Sequence, residues 1–145
     1  MSPDRAPVEH HIVSVVHHID RKRWSELREV FADQVETDYT SLFGGAPATQ
    51  SADDLIANWR KNLGPVTTQH LLGPIDVQLE GDRAYAACHV RAMHYAPEAK
   101  SGAEWEVLGH YRFELRRTER GFRIVHMTLE TFHQIGNRKL LQEAQ

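Results

Sequence analysis

The sequence predicts an α+β fold in which an antiparallel-rich sheet carries helices on one face. The evidence is the order of the elements: helical periodicity near the N-terminus, then one strand, another helix and a run of strands. Consecutive strands joined by short turns pair antiparallel, and the preceding helices pack on one side of their sheet. The length suits one domain, assigned to residues 1–145, with mobile or accessory ends expected at 1–7 and 134–145.

The first helix is predicted over residues 8–31. Its apolar side chains recur three or four positions apart and comprise Ile12, Val13, Val15, Val16, Ile19, Trp24, Leu27, Val30 and Phe31. A break near residues 20–23 would divide it into two helices. Residues 34–43 follow as a strand with alternating apolar positions, and the Gly-Gly-Ala-Pro run at 44–47 ends it.

The next helix is predicted over residues 51–63. Ser51 is a favourable N-cap residue, and Asp53 and Asp54 place negative charge in the first turn, where the helix dipole favours it. The Gly-Pro pair at 64–65 ends this helix.

The rest of the chain is predicted to form five strands. They are expected at residues 66–72, 75–80, 83–95, 104–117 and 122–132. Short turns separate them, notably Gly81-Asp82 and Glu119-Arg120-Gly121. Two of the strands are long enough to form a large curved sheet, which the helices could close into a cup.

Composition argues against several classes of protein. The net charge is −3, and basic and acidic residues are interspersed, so we expect no nucleic-acid partner. No apolar run approaches the ~18 residues of a membrane span, and the N-terminus lacks the apolar core of a signal peptide. The single cysteine, Cys88, cannot form an internal disulfide and fits a reducing compartment. We therefore expect a cytoplasmic protein without a membrane partner.

Two polar residues fall where apolar ones are expected. Asp20 lies about 30° from the centre of the apolar stripe of the first helix. A buried carboxylate needs a partner because desolvating it alone is costly. If the helix breaks there, Asp20 instead lies at the edge of the stripe and caps the next helix. His70 shares a strand face with apolar neighbours, a position more often held by a hydrogen-bonded core histidine than by a catalytic one.

The strand that carries His94 has unusually small side chains on the same face. They are Ala84, Ala86, Cys88, Val90 and Ala92. Small residues leave space, and space beside a histidine predicts a cavity rather than a filled core.

The chain contains 10 histidines, which raises the question of a metal site. The metal-binding pattern His-Glu-x-x-His is absent, and the pairs His10-His11 and His17-His18 fall mostly on the polar face of the first helix. We expect solvated histidines, with no metal and no organic cofactor. A nucleophile is also not indicated, because Gly-x-Ser-x-Gly is absent and Cys88 lies within a strand.

Several short segments together suggest a family. The clearest are Ile19-Asp-Arg-Lys-Arg-Trp24 and Thr67-Thr-Gln-His-Leu-Leu-Gly73. Others are Leu27–Ala32, Asp38-Tyr39, Val90–His94, Gly109–Arg112 and Arg120–Ile124. The series, which covers residues 8–132, resembles the scytalone dehydratase-like and SnoaL-like family of the nuclear transport factor 2-like superfamily.

The resemblance implies a cone-shaped fold, in which a curved sheet wraps on the N-terminal helices around a deep pocket. It also implies roles for four residues. Asp20 matches the acid that orients the catalytic histidine, and His70 matches that histidine. Tyr39 matches a tyrosine that helps to hold the substrate carbonyl, and His94 matches a second pocket histidine.

Two positions depart from scytalone dehydratase. Ile19 stands where that enzyme has a tyrosine before the acid, and His110-Tyr111-Arg112 occupies the region of its closing-hairpin serine and asparagine. The resemblance therefore does not indicate scytalone as the substrate. Other members of the superfamily eliminate halide, close polyketide rings, isomerise steroids or only bind ligands and partners.

From these residues we expect a lyase or isomerase that acts next to a carbonyl on a small, flat, mostly apolar substrate. His70, oriented by Asp20, removes a C–H proton, and Tyr39 stabilises the enolate. Either His94 or His70 protonates the leaving hydroxyl. The alternatives are a polyketide cyclase or dehydrohalogenase, and a non-catalytic binding domain of the same fold. The pocket walls are expected to include Trp24, Phe31, Trp59 and Tyr111.

The resemblance also implies self-association as a homo-oligomer, either a trimer or a dimer. One face of the strand at 104–117 is polar and offers a surface for a second subunit. Its side chains are Glu104, Glu106, His110, Arg112, Glu114 and Arg116.

Overall fold

The computed structural model describes residues 3–145, and this part of the chain contains five helices and seven strands. The helices are α1 (Arg5–Asp20), α2 (Trp24–Arg28), α3 (Thr40–Phe43), α4 (Ala52–Leu63) and α5 (Leu140–Glu143). The strands are β1 (Phe31–Asp38), β2 (Ala48–Ser51), β3 (Thr67–Leu72), β4 (Asp76–Glu80), β5 (Arg83–Tyr95), β6 (Glu104–Thr118) and β7 (Gly121–Gly136). Within the described residues, none of the helices has both the length and the apolar character needed to span a membrane.

All seven strands belong to one sheet, in the order β2-β1-β7-β6-β5-β3, and β4 also pairs with β5. The β1–β7 pair is parallel, and the other pairs are antiparallel. The sheet is curved and does not close, and helices α1, α3 and α4 pack against it, whereas α2 and α5 pack mainly on other helices. This confirms the predicted α+β class with a cone-like, antiparallel-rich sheet wrapped on N-terminal helices.

The first predicted helix is two helices, as the possible break at residues 20–23 indicated. Helix α1 ends at Asp20 and α2 begins at Trp24. The apolar stripe of α1 is buried against the sheet through Val8, Ile12, Val15, Val16 and Ile19. The predicted continuation of the helix to residue 31 is wrong, because Phe31 already begins β1.

The strand predicted over residues 34–43 is displaced towards the N-terminus. The Asp38 carboxylate accepts hydrogen bonds from the backbone N–H of Thr40 at 3.0 Å and from its hydroxyl at 2.7 Å. These local bonds turn the chain after Asp38, so residues 40–43 form α3 instead of continuing the strand. The short strand β2, which was not predicted, pairs with β1 along the edge of the sheet.

The long strands were predicted best. Strand β5 has the expected bounds, and β6 is one residue longer than expected. Strand β7 runs to Gly136 rather than residue 132, with an irregularity where it passes Gly109. A Cβ atom at Gly109 would lie 2.4 Å from the carbonyl oxygen of Glu130, so only glycine permits the close approach of these two strands.

The C-terminal segment packs on the domain. Residues 134–136 complete β7, and Leu140 is completely buried. The Glu143 carboxylate accepts hydrogen bonds from the backbone N–H and the hydroxyl of Ser101, at 2.9 and 2.7 Å. At the other end α1 begins at Arg5, within the predicted accessory residues 1–7, of which residues 1 and 2 lie outside the described part.

Candidate active site

The end of α1 meets strand β3 through a carboxylate–imidazole pair. The Nδ1 atom of His70 lies 2.7 Å from Oδ1 of Asp20. The backbone N–H of His70 donates to Oδ2 of Asp20 at 2.8 Å, and the hydroxyl of Thr68 donates to Oδ1 at 2.8 Å. The two aspartate oxygens therefore accept three hydrogen bonds, all from the same strand.

These bonds explain why a carboxylate is tolerated at this partly buried position. Burial by itself would raise the pKa of Asp20, but the hydrogen bonds and charge of His70, together with the Thr68 hydroxyl, outweigh it and lower the pKa. Asp20 is therefore ionised at neutral pH. The alternative expectation, that Asp20 caps α2, is wrong, since α2 has no side-chain cap and the carboxylate turns towards β3.

The pair also determines which nitrogen of His70 is free. A carboxylate can only accept a hydrogen bond, so Nδ1 of His70 carries the proton and donates it to Asp20. In the neutral ring, Nε2 then holds a lone pair. The His70 side chain is only 7% exposed, and it lines an open cavity between the helices and the sheet.

This cavity has a volume of about 400 Å³. Among the described residues, no Lys, Arg, Asp or Glu lines it. Its walls are mostly aromatic and aliphatic, and three amides, Gln50, Asn58 and Asn62, lie on the side of α4 and β2. A smaller depression of about 300 Å³ shares His94 and Trp105 with the cavity but does not include His70.

His94 lies on the neighbouring strand β5, diagonal to His70, with 6.2 Å between their ring centroids. Its Nδ1 lies 3.0 Å from the carbonyl oxygen of Trp105, which can only accept, so Nδ1 carries the proton. Burial lowers the pKa of His94 to about 4, mainly because the charged ring would be desolvated. At neutral pH His94 is thus uncharged, and its Nε2 has no hydrogen-bond partner among the described residues.

Tyr39 lies at the turn between β1 and α3 and lines the same cavity. Among the described residues, its hydroxyl donates only to the thioether sulfur of Met127, at 3.7 Å, which is a weak acceptor. Burial raises the pKa of the Tyr39 hydroxyl well above its usual value, so the group stays protonated. It is a donor that a ligand oxygen can readily engage.

The predicted wall residues divide into two groups. Trp59 and Tyr111 line the cavity, whereas Trp24 and Phe31 do not. Phe31 is fully buried in the core, where its ring packs edge-on against Trp59 at 5.8 Å. Trp24 is half-buried beside the Lys22 ammonium group, away from the cavity.

Other residues of the site were not predicted. Thr68 shares the inward strand face with His70, and Trp105 lies on the predicted apolar face of β6, so periodicity could have indicated both. Phe43 was assigned to a strand but contacts the cavity from α3.

The remaining histidines are dispersed over the molecule. Within residues 3–145 no three His, Cys, Asp or Glu side chains come together as a potential metal site. His10 and His17 are exposed on α1, while His11 contacts Arg123 of β7. On the outer side of the sheet His89 and His110 pack edge-to-face, 5.1 Å apart.

Comparison with known sequences identifies a family. The model of the SnoaL-like domain matches residues 1–128, which is most of the chain. No curated protein matches the sequence significantly.

Solved structures share the fold. The Kfla4162 protein from Kribbella flavida is 30% identical with a TM-score of 0.89, covering 96% of this chain and 97% of that one. A nuclear transport factor 2-like protein from Novosphingobium aromaticivorans is 25% identical with a TM-score of 0.68 (87% and 80% covered). A proposed scytalone dehydratase from the same organism is 18% identical with a TM-score of 0.76 (90% and 85% covered).

Proposed function

Because this chain belongs to the SnoaL-like family of nuclear transport factor 2-like proteins, we propose that it is a lyase that eliminates a small group next to a carbonyl. The observation that carries the proposal is the 2.7 Å contact between Asp20 and His70 at a cavity of about 400 Å³. An oriented histidine base in a largely apolar cavity is suited to removing a weakly acidic C–H proton.

The proposed base is Nε2 of His70, which approaches the substrate carbon from the cavity wall. Removal of the proton converts His70 to the imidazolium, and the adjacent Asp20 carboxylate stabilises that charge. Asp20 also holds the ring in the tautomer that leaves Nε2 unprotonated. Removal of this proton is expected to give the enolate of the substrate, with negative charge on its carbonyl oxygen.

We assign stabilisation of that enolate oxygen to the hydroxyl of Tyr39. Its high pKa keeps it protonated, and its weak contact with Met127 is easily exchanged for a stronger one. A donor in a cavity without charged side chains interacts more strongly with developing charge than it would in water.

The leaving group receives its proton from His70 rather than His94. Neutral His94 carries its one ring proton on Nδ1, which is engaged by Trp105, so it has none to give to a hydroxyl. The His70 imidazolium returns its proton as the C–O bond breaks. A C=C bond forms, water leaves, and His70 is neutral again. His94 instead accepts a hydrogen bond from a donor on the substrate.

A second candidate reaction is the loss of halide from a substrate of similar size. It is favoured because His94 has no free ring proton to donate. Halide leaves without a proton, so this reaction needs only the base His70. The mostly aromatic walls, which include Trp59, Trp105 and Tyr111, favour a flat and uncharged substrate for either reaction.

We further propose that the protein self-associates through the outer face of the sheet. Besides the predicted polar residues, this face exposes four large apolar side chains, Leu71, Tyr95, Phe132 and Ile135. Its charges are largely paired within the face, as between Arg91 and Glu106. A second copy of the chain would therefore meet a surface without strong repulsion. A cytoplasmic location is proposed because Cys88 is a free, buried thiol.

The test is a screen for elimination from β-hydroxy and β-halo ketones, in which the ultraviolet absorbance of the conjugated product measures turnover. We expect turnover by the native chain and none by His70→Ala or Asp20→Ala, with circular dichroism unchanged. His17→Ala, at an exposed histidine of α1, is the matched control and stays active. Ligand binding without turnover would instead indicate a binding domain, and most activity retained in His70→Ala would refute the mechanism.

A further inference from the structure

The turn between α1 and α2 has an unusual residue at its centre. Lys22 is the one non-glycine residue among those described with a positive φ, at 59°. Its N–H donates to the Ile19 carbonyl at 3.1 Å, and the N–H of Arg23 donates to the His18 carbonyl at 2.8 Å. This pattern is a Schellman motif, in which glycine usually occupies the left-handed position. Glycine would satisfy the backbone better, so the lysine side chain calls for an explanation.

The side chain of Lys22 crosses to a different part of the fold. Its ammonium group donates to the carbonyl of Leu63 at 2.6 Å and to the carbonyl of Val66. Leu63 is the last residue of α4, where carbonyl groups lack helical partners and a positive charge is favoured by the helix dipole. Val66 directly precedes β3. Lys22 therefore joins the α1–α2 turn to the connection between α4 and β3.

The same two segments meet a second time at the Asp20–His70 pair. Asp20 lies two positions before Lys22, and its partners Thr68 and His70 lie two and four positions after Val66. Burial lowers the pKa of Lys22, and the negative charge of Asp20 opposes this effect. The Lys22 hydrogen bonds and the Asp20–His70 pair lie only a few residues apart along both segments. Together they hold the Asp20 carboxylate at a defined position relative to the His70 ring.

We infer that Lys22 is a positioning residue for the Asp20–His70 pair, acting through the carbonyl groups of Leu63 and Val66. Lys22 does not line the cavity, and we do not assign it a contact with the substrate. The positioning of the pair by Lys22 is argued from these contacts alone, whereas the expected effect on turnover rests on the proposed function.

Two substitutions separate the side chain from the backbone. Lys22→Gly keeps the left-handed turn and removes the whole side chain, and Lys22→Met keeps its length without the charge. We expect both variants to fold, with kcat lowered about 10- to 100-fold, as small displacements of catalytic groups do, and KM little changed. Lys61→Met, at an exposed lysine of α4, is the matched control. Unchanged kcat in both Lys22 variants would overturn the inference.

A second measurement needs no substrate. In the proton NMR spectrum, the His70 Nδ1 proton bonded to Asp20 should appear far downfield, and Asp20→Asn should abolish this signal. We expect Lys22→Gly and Lys22→Met to broaden or shift it, while Lys61→Met leaves it unchanged. If the signal changes but no substrate is turned over by the native chain, the positioning role stands and the proposed function fails. An unchanged signal refutes the positioning role.

Chemical rescue tests the charge itself. Lys22→Cys can be alkylated with 2-bromoethylamine, which restores an ammonium group at nearly the length of lysine. Cys88 should not react, because it is buried and its pKa is raised to about 11. We expect aminoethylation to restore the NMR signal and most of kcat, and alkylation with neutral iodoacetamide to restore neither. Equal rescue by both reagents would show that only bulk matters and would contradict the inference.

Discussion

The Nδ1 atom of His70 lies 2.7 Å from Oδ1 of Asp20, although the residues are 50 positions apart in the sequence. The contact joins the end of α1 to strand β3, so the same bond that prepares a base also holds a helix on the sheet. Because the second aspartate oxygen accepts the backbone N–H of His70, the carboxylate cannot rotate freely. Stability and activity should therefore both respond to this pair.

The ionised form of Asp20 should make the fold sensitive to acid. Its pKa is lowered in the folded protein, so its contribution to stability is complete above the unfolded value of about 3.9 and is lost as pH falls through the lower, folded value. At pH 6 we expect Asp20→Asn to lower the free energy of unfolding by about 1–3 kcal/mol. Urea unfolding from pH 6 to pH 3 should show this gap shrinking below about pH 4. A gap independent of pH would contradict the assignment.

His94 should remain uncharged in the active pH range. Its folded pKa of about 4 lies below the unfolded value of 6.5, so its contribution to stability is present above pH 6.5 and is lost as pH falls towards 4. Nitrogen-15 NMR of the histidine side chains should show the proton on Nδ1 and no titration of this ring above pH 5. A midpoint near 6.5, or a proton on Nε2, would restore His94 as a candidate acid for the leaving group.

Removal of the Tyr39 hydroxyl should affect the transition state more than binding. The Tyr39→Phe variant retains the aromatic ring and loses only the weak bond to Met127, so the fold should be unaffected. We expect kcat to fall about 100-fold with little change in KM, as for loss of one oxyanion donor. Tyr95→Phe, on the outer face of the sheet, is the matched control. A rise in KM alone would assign Tyr39 to substrate binding instead.

The outer face of the sheet should determine the oligomeric state. Phe132→Glu and Leu71→Glu place a charge in the exposed apolar surface without disturbing the core. Light scattering coupled to size exclusion should give an oligomer for the native chain and a monomer for either variant. Ala57→Glu, on the exposed side of α4, is the control and should not change the mass. A native monomer at high concentration would refute self-association.

The local rules of secondary structure succeeded where the pattern is long. The alternation along β5 and β6 predicted their positions within one residue, because thirteen and fifteen residues respectively repeat the same period. These local rules failed where a single side chain changes the direction of the backbone. The Asp38 carboxylate bonds to Thr40 and ends β1, an effect that hydrophobic periodicity does not register. Trp24 and Phe31 were assigned to the cavity because an aromatic residue alone does not show which surface it faces.

From the sequence alone we predicted the fold class, a possible break between two N-terminal helices, inward positions for His70 and His94, and a position for Asp20 near the centre or at the edge of the apolar stripe. These properties depend on composition and on periodicities of a few residues, which are present in the sequence without any tertiary contact. Which groups meet depends on the tertiary structure. It brought Asp20 to His70, turned Nδ1 of His94 to the Trp105 carbonyl and led Lys22 to the carbonyls of Leu63 and Val66. Such contacts depend on distances between segments remote in sequence, which local patterns do not specify.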